Sequence, residues 1–208
     1  MNLDLFVDTS RKGIAMGIAA PSVYEEIVNG DAKGEMLTAS LEELLNRVNA
    51  KLNDIKRVMV TLGPGSFSGL RTGVAFCQGL CFSGKRSLYG VTTLKALQCF
   101  AGEKRNEAAV ITRARNGFWY FLLDDRESFI ETADVVERLK MSNVKAAVLD
   151  DTANTCEAFK ETFIELGTTI TIDTGKPLSA WAPLFDSVKP SLIQEANYIQ
   201  PSYFEKLK

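Results

Sequence analysis

The chain has 208 residues, of which 46% are hydrophobic and 24% are charged, so it is long enough to bury the core of one domain or of two small lobes. A net charge of −2 without a basic tail argues against nucleic-acid binding by this chain alone. Histidine is absent, which excludes Ser-His-Asp and Cys-His catalysis and histidine metal ligands.

Cysteine usage and hydropathy predict a cytoplasmic protein. The four cysteines form no CxxC motif, and we expect free thiols in a reducing compartment. The opening MNLDLFVD carries charge inside its apolar run, which is not typical of a signal peptide. The longest apolar run, FWYFLL, is far shorter than a membrane span.

The first half of the chain is predicted to form three strands, then helices and strands in alternation. Leucines recur at helical spacing between Leu37 and Leu52, which indicates an amphipathic helix. Ser66 is a plausible N-cap for a second helix after a glycine loop. The predicted elements are strands at 3–7, 13–20, 22–28, 57–62 and 89–91, and helices at 36–52, at 67–82 and from Thr92 or Thr93 to Phe100.

The second half partly repeats this order after the polar stretch AGEKRNE, which we take as the boundary between lobes at 1–102 and 103–208. We therefore predict a mixed α/β fold in two lobes, with strands first and helices later in each. The predicted elements are strands at 108–112, 118–123, 145–149 and 169–172, and helices at 152–166 and, despite Pro183, 178–188.

The glycine loop GPGSFSGLRTG, residues 63–73, matches neither common phosphate-binding motif. A Walker loop needs lysine where Leu70 stands, and Gly63, Gly65 and Gly69 give GxGxxxG instead of the Rossmann GxGxxG. The helix that follows is apolar on most sides, and Gly69 and Gly73 leave a strip for close approach of another helix. That helix is either a central element of the lobe or a surface for a partner chain.

Several segments, in order along the chain, resemble the TsaB (YeaZ) family. The string GPGSFSGLRTGVAFCQGL is similar to the family signature GPGSFTGLRxGxxxAKGL, and it is the longest and most specific match. The remaining matches are LFVDTS to the opening IDTS strand, VTTLKAL to V-x-S-L-x-A-L, RARNGFWYF to the DARxGEVYW hairpin and YIQPSYF to the closing Y-x-x-P-x-Y.

This resemblance implies an actin/Hsp70/sugar-kinase-like (ASKHA) fold made of two RNase H-like lobes. It implies a noncatalytic subunit that binds and supports TsaD, the paralogue that transfers threonylcarbamoyl to the adenosine beside the anticodon of tRNA. A TsaE-type ATPase would join the larger complex, and tRNA would bind only as part of it. No cofactor is expected on the isolated chain, although ADP or ATP could bind at the junction with the partner.

The resemblance also implies that the two long helices of the N-terminal lobe pack against the partner, and the same helices could pair two copies of this chain. The candidate interface residues are Leu37, Leu41, Leu45, Gly69, Leu70, Gly73, Phe76 and Leu80. The sequence departs from the family at Lys33-Gly34-Glu35 (often His-Ser), at Arg113 and Phe118 in the hairpin, and at Asp150–Ala153, which has lost the glycines of a GDGA turn.

Four further positions have a functional and a structural interpretation, and we favour the structural one at each. Asp8 is the candidate for holding a water-bound Mg²⁺, or it caps the turn before Lys12-Gly13. Asp150-Asp151 could hold a divalent cation or cap a helix. Ser66 lacks an activating base and is expected to cap a helix. Trp119-Tyr120-Phe121 could stack on bases, but strand alternation sends one side into the core.

The alternative function is a stand-alone actin-fold ATPase or small-molecule kinase. Such an enzyme would need glycine turns in both lobes, and only the first lobe keeps one. An HxxxH metal site is impossible without histidine. We therefore predict no catalytic residue and no metal ligand in this chain.

Overall fold

A computed structural model describes residues 1–199, which divide into two compact lobes. The first lobe contains Met1–Thr93 and Pro177–Asn197, and the second contains Leu94–Lys176. The predicted boundary at 102/103 therefore needs correction at two places. Residues 94–102 group with the second lobe, where Gln98 Nε2 donates to the Ala108 carbonyl at 2.8 Å, and the chain returns to the first lobe at Pro177.

The first lobe contains a five-stranded mixed sheet in the order β3-β2-β1-β4-β5. The first three strands pair antiparallel, and β4 and β5 continue the sheet in parallel with β1. Its elements are β1 Leu3–Asp8, β2 Ile14–Ala20, β3 Val23–Asn29, α1 Leu37–Arg47, β4 Ile55–Thr61, α2 Phe67–Cys81 and β5 Ser87–Val91.

Both faces of this sheet are covered at the central strand β1, whose apolar side chains point to both sides. Leu5 and Val7 lie in the core cluster that α1 and α2 contribute to. Phe6 points to the opposite face, where its ring lies 6.3 Å from Trp181 and 5.6 Å from Phe185.

The segment that supplies these two aromatic rings is a 3₁₀ helix, Leu178–Asp186, and not the α-helix predicted over 178–188. Pro183 has no N–H to donate, which disfavours a regular α-helix there. Polar contacts also hold the segment: Leu178 N donates to Tyr24 Oη at 2.9 Å, and the Arg57 guanidinium lies 4.2 Å from the Phe185 ring. Arg57 is held in turn by two hydrogen bonds to Asp4, at 2.7 and 2.6 Å.

The second lobe repeats the topology of the first. Its sheet has the order β10-β9-β6-β7-β8, with antiparallel β6, β7 and β8 and parallel β9 and β10. Its elements, including α3 before the sheet, are α3 Thr93–Gln98, β6 Ala108–Arg115, β7 Phe118–Leu123, β8 Arg126–Glu131, α4 Thr132–Met141, β9 Ala146–Leu149, α5 Asp151–Thr155, α6 Glu157–Leu166 and β10 Thr169–Ile172. The predicted α/β fold with two RNase H-like lobes is confirmed.

Other differences from the predicted elements have local causes. Helix α1 ends at Arg47 because Asn49 adopts a left-handed φ of 50°, and Leu52 falls in a separate 3₁₀ turn. The helix predicted over 152–166 is broken at Cys156, whose ψ of 114° is extended. Strand β8 and helix α4 were missing from the prediction, since both have few large apolar residues facing the core.

The end of α2 is held by Arg86, which is only 8% exposed. Its Nη1 donates to the Leu80 carbonyl at 2.9 Å, and its Nη2 donates to the Leu52 carbonyl at 2.8 Å. The last carbonyls of a helix have no partner within the helix, so Arg86 supplies one and ties the helix to the 3₁₀ turn Leu52–Asp54.

We predict that Arg86→Met lowers the free energy of unfolding by about 1–3 kcal/mol, because it removes the charged donor of the Leu80 and Leu52 carbonyls. Urea unfolding followed by circular dichroism measures the change. The neighbouring exposed Lys85, changed to Met, is the control and should shift the free energy by less than about 0.5 kcal/mol. Equal effects of the two substitutions would contradict this role of Arg86.

Candidate functional site

The glycine loop packs its backbone against the turn that follows β1. Ser66 N donates to the Ser10 carbonyl at 2.6 Å, and a Cβ on Gly65 would overlap that same carbonyl. Gly63, at a φ of 110°, accepts a hydrogen bond from Thr93 N at 2.7 Å. The loop glycines are thus required by contacts within the lobe.

Ser66 is the N-cap of α2, as predicted, and its Oγ accepts from Gly69 N at 3.3 Å. No histidine exists to activate this hydroxyl as a nucleophile. Capping of α2 therefore explains why a serine stands at position 66, and no catalytic role is needed.

Asp8 lies at the end of β1 and is 3% exposed. Its Oδ1 accepts from Ser10 N at 2.9 Å, from Ser10 Oγ at 2.6 Å and from Thr61 Oγ1 at 2.8 Å. Its Oδ2 lies 3.4 Å from both Nε and Nη2 of Arg11. Asp8 thus caps the turn after β1. The predicted ADP or ATP site at a partner junction stays a prediction.

The two glycines of the predicted small-residue strip face this turn. A Cβ on Gly73 would overlap the Thr9 hydroxyl, and one on Gly69 would overlap the Thr9 carbonyl. Thr9 Oγ1 is buried without a hydrogen-bond partner, in keeping with its tight fit against the helix. Both glycines admit the turn after β1, so the prediction that they admit a partner helix needs correction.

Most of the other predicted interface residues lie in the core of the same lobe. Four leucines are at most 8% exposed and pack with the sheet, namely Leu37, Leu41, Leu45 and Leu70. Phe76 and Leu80 are half-buried and pack against the same core. These leucines hold α1 and α2 on the sheet. They agree with the interpretation in which α2 is a central element of the lobe.

The opposite side of α2 is exposed and carries small residues at spacings of four, three and four. We call this stripe, Ser68, Thr72, Ala75 and Gly79, the outer face of α2. Among residues 1–199, a Cβ on Gly79 would meet no atom within 4 Å. Phe67, 55% exposed, and Phe82, 79% exposed, lie at the two ends of the stripe. Sequence analysis missed this side because the helix reads as apolar on most faces.

The remaining candidates have structural partners in the second lobe. Asp150 is the N-cap of α5, accepting from Ala153 N at 2.7 Å and from Arg113 N at 2.6 Å. Trp119 and Phe121 lie in the core, whereas Tyr120 is half-buried on the other sheet face. Within residues 1–199, no group of three His, Cys, Asp or Glu side chains could hold a metal ion.

The four cysteines are free, as predicted, and three of them are buried. Burial raises the pKa of Cys81 and that of Cys99 to about 11, so neither thiol is activated as a nucleophile. In the described part of the chain, no helix is long and apolar enough to cross a membrane.

We predict opposite effects of alanine at two glycines of α2. Gly73→Ala should destabilise the protein by about 1–3 kcal/mol, because the new methyl overlaps Thr9. Gly79→Ala should stabilise it by up to about 1 kcal/mol through helix propensity alone. Chemical unfolding tests both, and Thr9→Ala combined with Gly73→Ala should recover part of the loss. A stabilising Gly73→Ala would contradict the packing described here.

Comparison with known proteins identifies the family. The model of TsaD, tRNA N6-adenosine threonylcarbamoyltransferase, matches residues 31–174, well over half of the chain. The Escherichia coli (strain K12) tRNA threonylcarbamoyladenosine biosynthesis protein TsaB is 26% identical over 115 residues, which cover 48% of this chain and 49% of TsaB. A Clostridium botulinum tRNA N6-adenosine threonylcarbamoyltransferase is 34% identical over 61 residues, 29% of this chain and 18% of the enzyme.

These alignments span about half the length of TsaB and less than a fifth of the transferase. A solved Pseudomonas aeruginosa structure, described as an uncharacterized protein with similarity to peptidase YeaZ, matches with a TM-score of 0.65 at 18% identity. That match covers 96% of this chain and 100% of the other, and it supports the two-lobed fold. The chain therefore belongs to the TsaD family of tRNA N6-adenosine threonylcarbamoyltransferases and their relatives, and the resemblance to TsaB (YeaZ) proteins is confirmed.

Proposed function

We propose that this chain is a noncatalytic subunit of the machinery that makes threonylcarbamoyladenosine in tRNA, and that it binds and supports a TsaD-type transferase. Membership of the family and the similarity to the E. coli biosynthesis protein support the pathway. The partner would supply the catalytic groups and most of the positive charge that tRNA binding needs, because this chain has no histidine and a net charge of −2.

The single observation that supports a partner-binding role is the exposed stripe of small residues on the outer face of α2. Small side chains let two helices approach closely, and an exposed glycine on an ordinary surface helix costs about 1 kcal/mol relative to alanine. Nothing within the lobe fills the space above Gly79, unlike the space above Gly73. The exposed rings of Phe67 and Phe82 add apolar area that a partner would cover.

The absence of a role in catalysis is supported by acidic residues at the ends of two strands, β1 in the first sheet and β9 in the second. Asp8 and Asp150 occupy the positions where acidic side chains could bind metal or activate a nucleophile. Both carboxylates instead accept hydrogen bonds from nearby backbone N–H groups, so their lone pairs hold a turn and a helix end.

We predict that Gly79→Arg prevents assembly with the TsaD-type protein of the same organism. A long charged side chain would keep the partner helix away from the outer face of α2, and the lobe has room for it. Analytical ultracentrifugation of the two proteins should show a heterodimer for wild type and an affinity about a hundredfold lower for the variant.

The matched control is Ala133→Arg, which adds the same charge to an exposed position of α4 in the second lobe. It should assemble like wild type. Equal assembly by Gly79→Arg would exclude this surface, and the absence of any heterodimer with wild type would refute the partner role itself. Sedimentation of the chain alone tests whether Gly79→Arg also removes a homodimer. If one surface serves both the heterodimer and the homodimer, the substitution should remove both.

A second prediction tests the absence of catalysis. Asp8→Asn keeps an oxygen that can accept from Ser10 and Thr61 but removes the charge that a metal ion would need. In a reconstituted assay of threonylcarbamoyl transfer to tRNA, the assembled variant should retain a rate within about twofold of wild type. A folded, assembled variant slowed tenfold or more, a loss of about 1.4 kcal/mol, would make Asp8 part of the catalytic machinery.

A further inference from the structure

The second lobe has a pocket at the tip of the β7–β8 hairpin that none of the functions above uses. Asp124 and Asp125, with φ of 49° and 62°, form the two-residue turn. Leu123 pairs with Arg126 as the last residue pair of the hairpin. Helix α4 covers the same sheet face further along and ends at Met141, which leaves a pocket of about 520 Å³.

The lining of this pocket combines an apolar floor with basic side chains. Leu123 is half-buried and offers apolar surface, whereas Phe121 is only 1% exposed and closes the pocket from below. Met141 adds a flexible apolar side chain that is 78% exposed. The charged groups that line the pocket are Arg126, Arg138 and Asp124, which leaves one net positive charge.

Neither arginine has a carboxylate partner among residues 1–199. Arg138 Nη1 donates to Ser128 Oγ at 3.3 Å, and Ser128 lies two residues from Arg126 on the same strand and the same face. The two guanidinium groups are thus brought to one site, where like charges repel. Cations nearby do have partners, since Lys140 pairs with Glu165 and Lys95 pairs with Asp125. Arg126 and Arg138 thus bring positive charge to this pocket that no ion pair within residues 1–199 neutralises.

We propose that this pocket binds a small organic anion, with its phosphate or carboxylate group between Arg126 and Arg138 and its apolar body against Leu123 and Met141. Arginine donates paired hydrogen bonds to such oxyanions, which suits both head groups. The volume lies in the range of small-molecule sites, roughly 300–1,000 Å³. The site lies wholly in the second lobe, so it is independent of the proposed partner surface on α2.

Phenyl phosphate is the probe for this site. Inorganic phosphate is the comparison ligand, because it has the same anionic group but no apolar body. Titration of the ¹⁵N-labelled full chain should move amide signals of residues 121–128 and 138–142 saturably. Arg126→Gln and Arg138→Gln should each weaken binding about tenfold. Arg126 is exposed and makes no ion pair in the described structure, so its variant should fold as wild type does.

Arg113→Gln is the matched control, because it removes the same charge from an exposed position of β6 outside the pocket. It should leave the affinity within about twofold. The absence of saturable binding would overturn the proposal. So would an equal loss in Arg113→Gln, or inorganic phosphate binding as tightly as phenyl phosphate, because both outcomes describe general attraction of anions.

Discussion

The fit of α2 against the turn after β1 is the contact on which the first lobe depends. Thr9 fills the space above Gly69 and Gly73, and the Ser10 carbonyl accepts a hydrogen bond from the N–H of Ser66, the N-cap of α2. Asp8 holds that turn in place through three hydrogen bonds to one oxygen. These contacts use the loop glycines and the inner side of α2 in the fold itself. On the outer face of α2, Thr72 lies against Gly34, whereas the space above Gly79 is open among the described residues.

The two lobes share one topology, and each has an acidic side chain at a strand end, Asp8 at the end of β1 and Asp150 directly after β9. In the first lobe the carboxylate of Asp8 caps a turn, and in the second the carboxylate of Asp150 caps α5 and receives Arg113 N. The second lobe has no glycine turn at that place, since its residues are Asp150–Ala153. Both carboxylates are thus used in local structure, which agrees with the proposed noncatalytic role.

Much of the fold could be predicted because the first sheet has strong periodic patterns and sharp turns. Strand β7 and strand β10 were placed at their observed bounds for the same reason. Strand β8 was missed because it lies at the sheet edge and alternates only weakly, and the return of Leu178–Asp186 to the first lobe depends on distant partners such as Tyr24. The sequence does not show which side of α2 faces the sheet. Gly73 and Gly79 are the same residue type, and they differ only in their tertiary neighbours, since Thr9 packs against Gly73 but not against Gly79. The arginine pocket depends on the register of the β7–β8 hairpin and on the end of α4 at Met141, and no local sequence pattern predicts either.

The central claim is that the outer face of α2 meets a transferase partner, and site-specific photo-crosslinking tests it most directly. A photoreactive amino acid would replace Ala75 on that face, or Ala133 on the exposed side of α4 as the comparison. In the mixture with the TsaD-type protein, the account predicts a crosslinked heterodimer from position 75 and none from position 133. Crosslinking from position 133 with none from position 75 would contradict the account and move the partner surface to the second lobe.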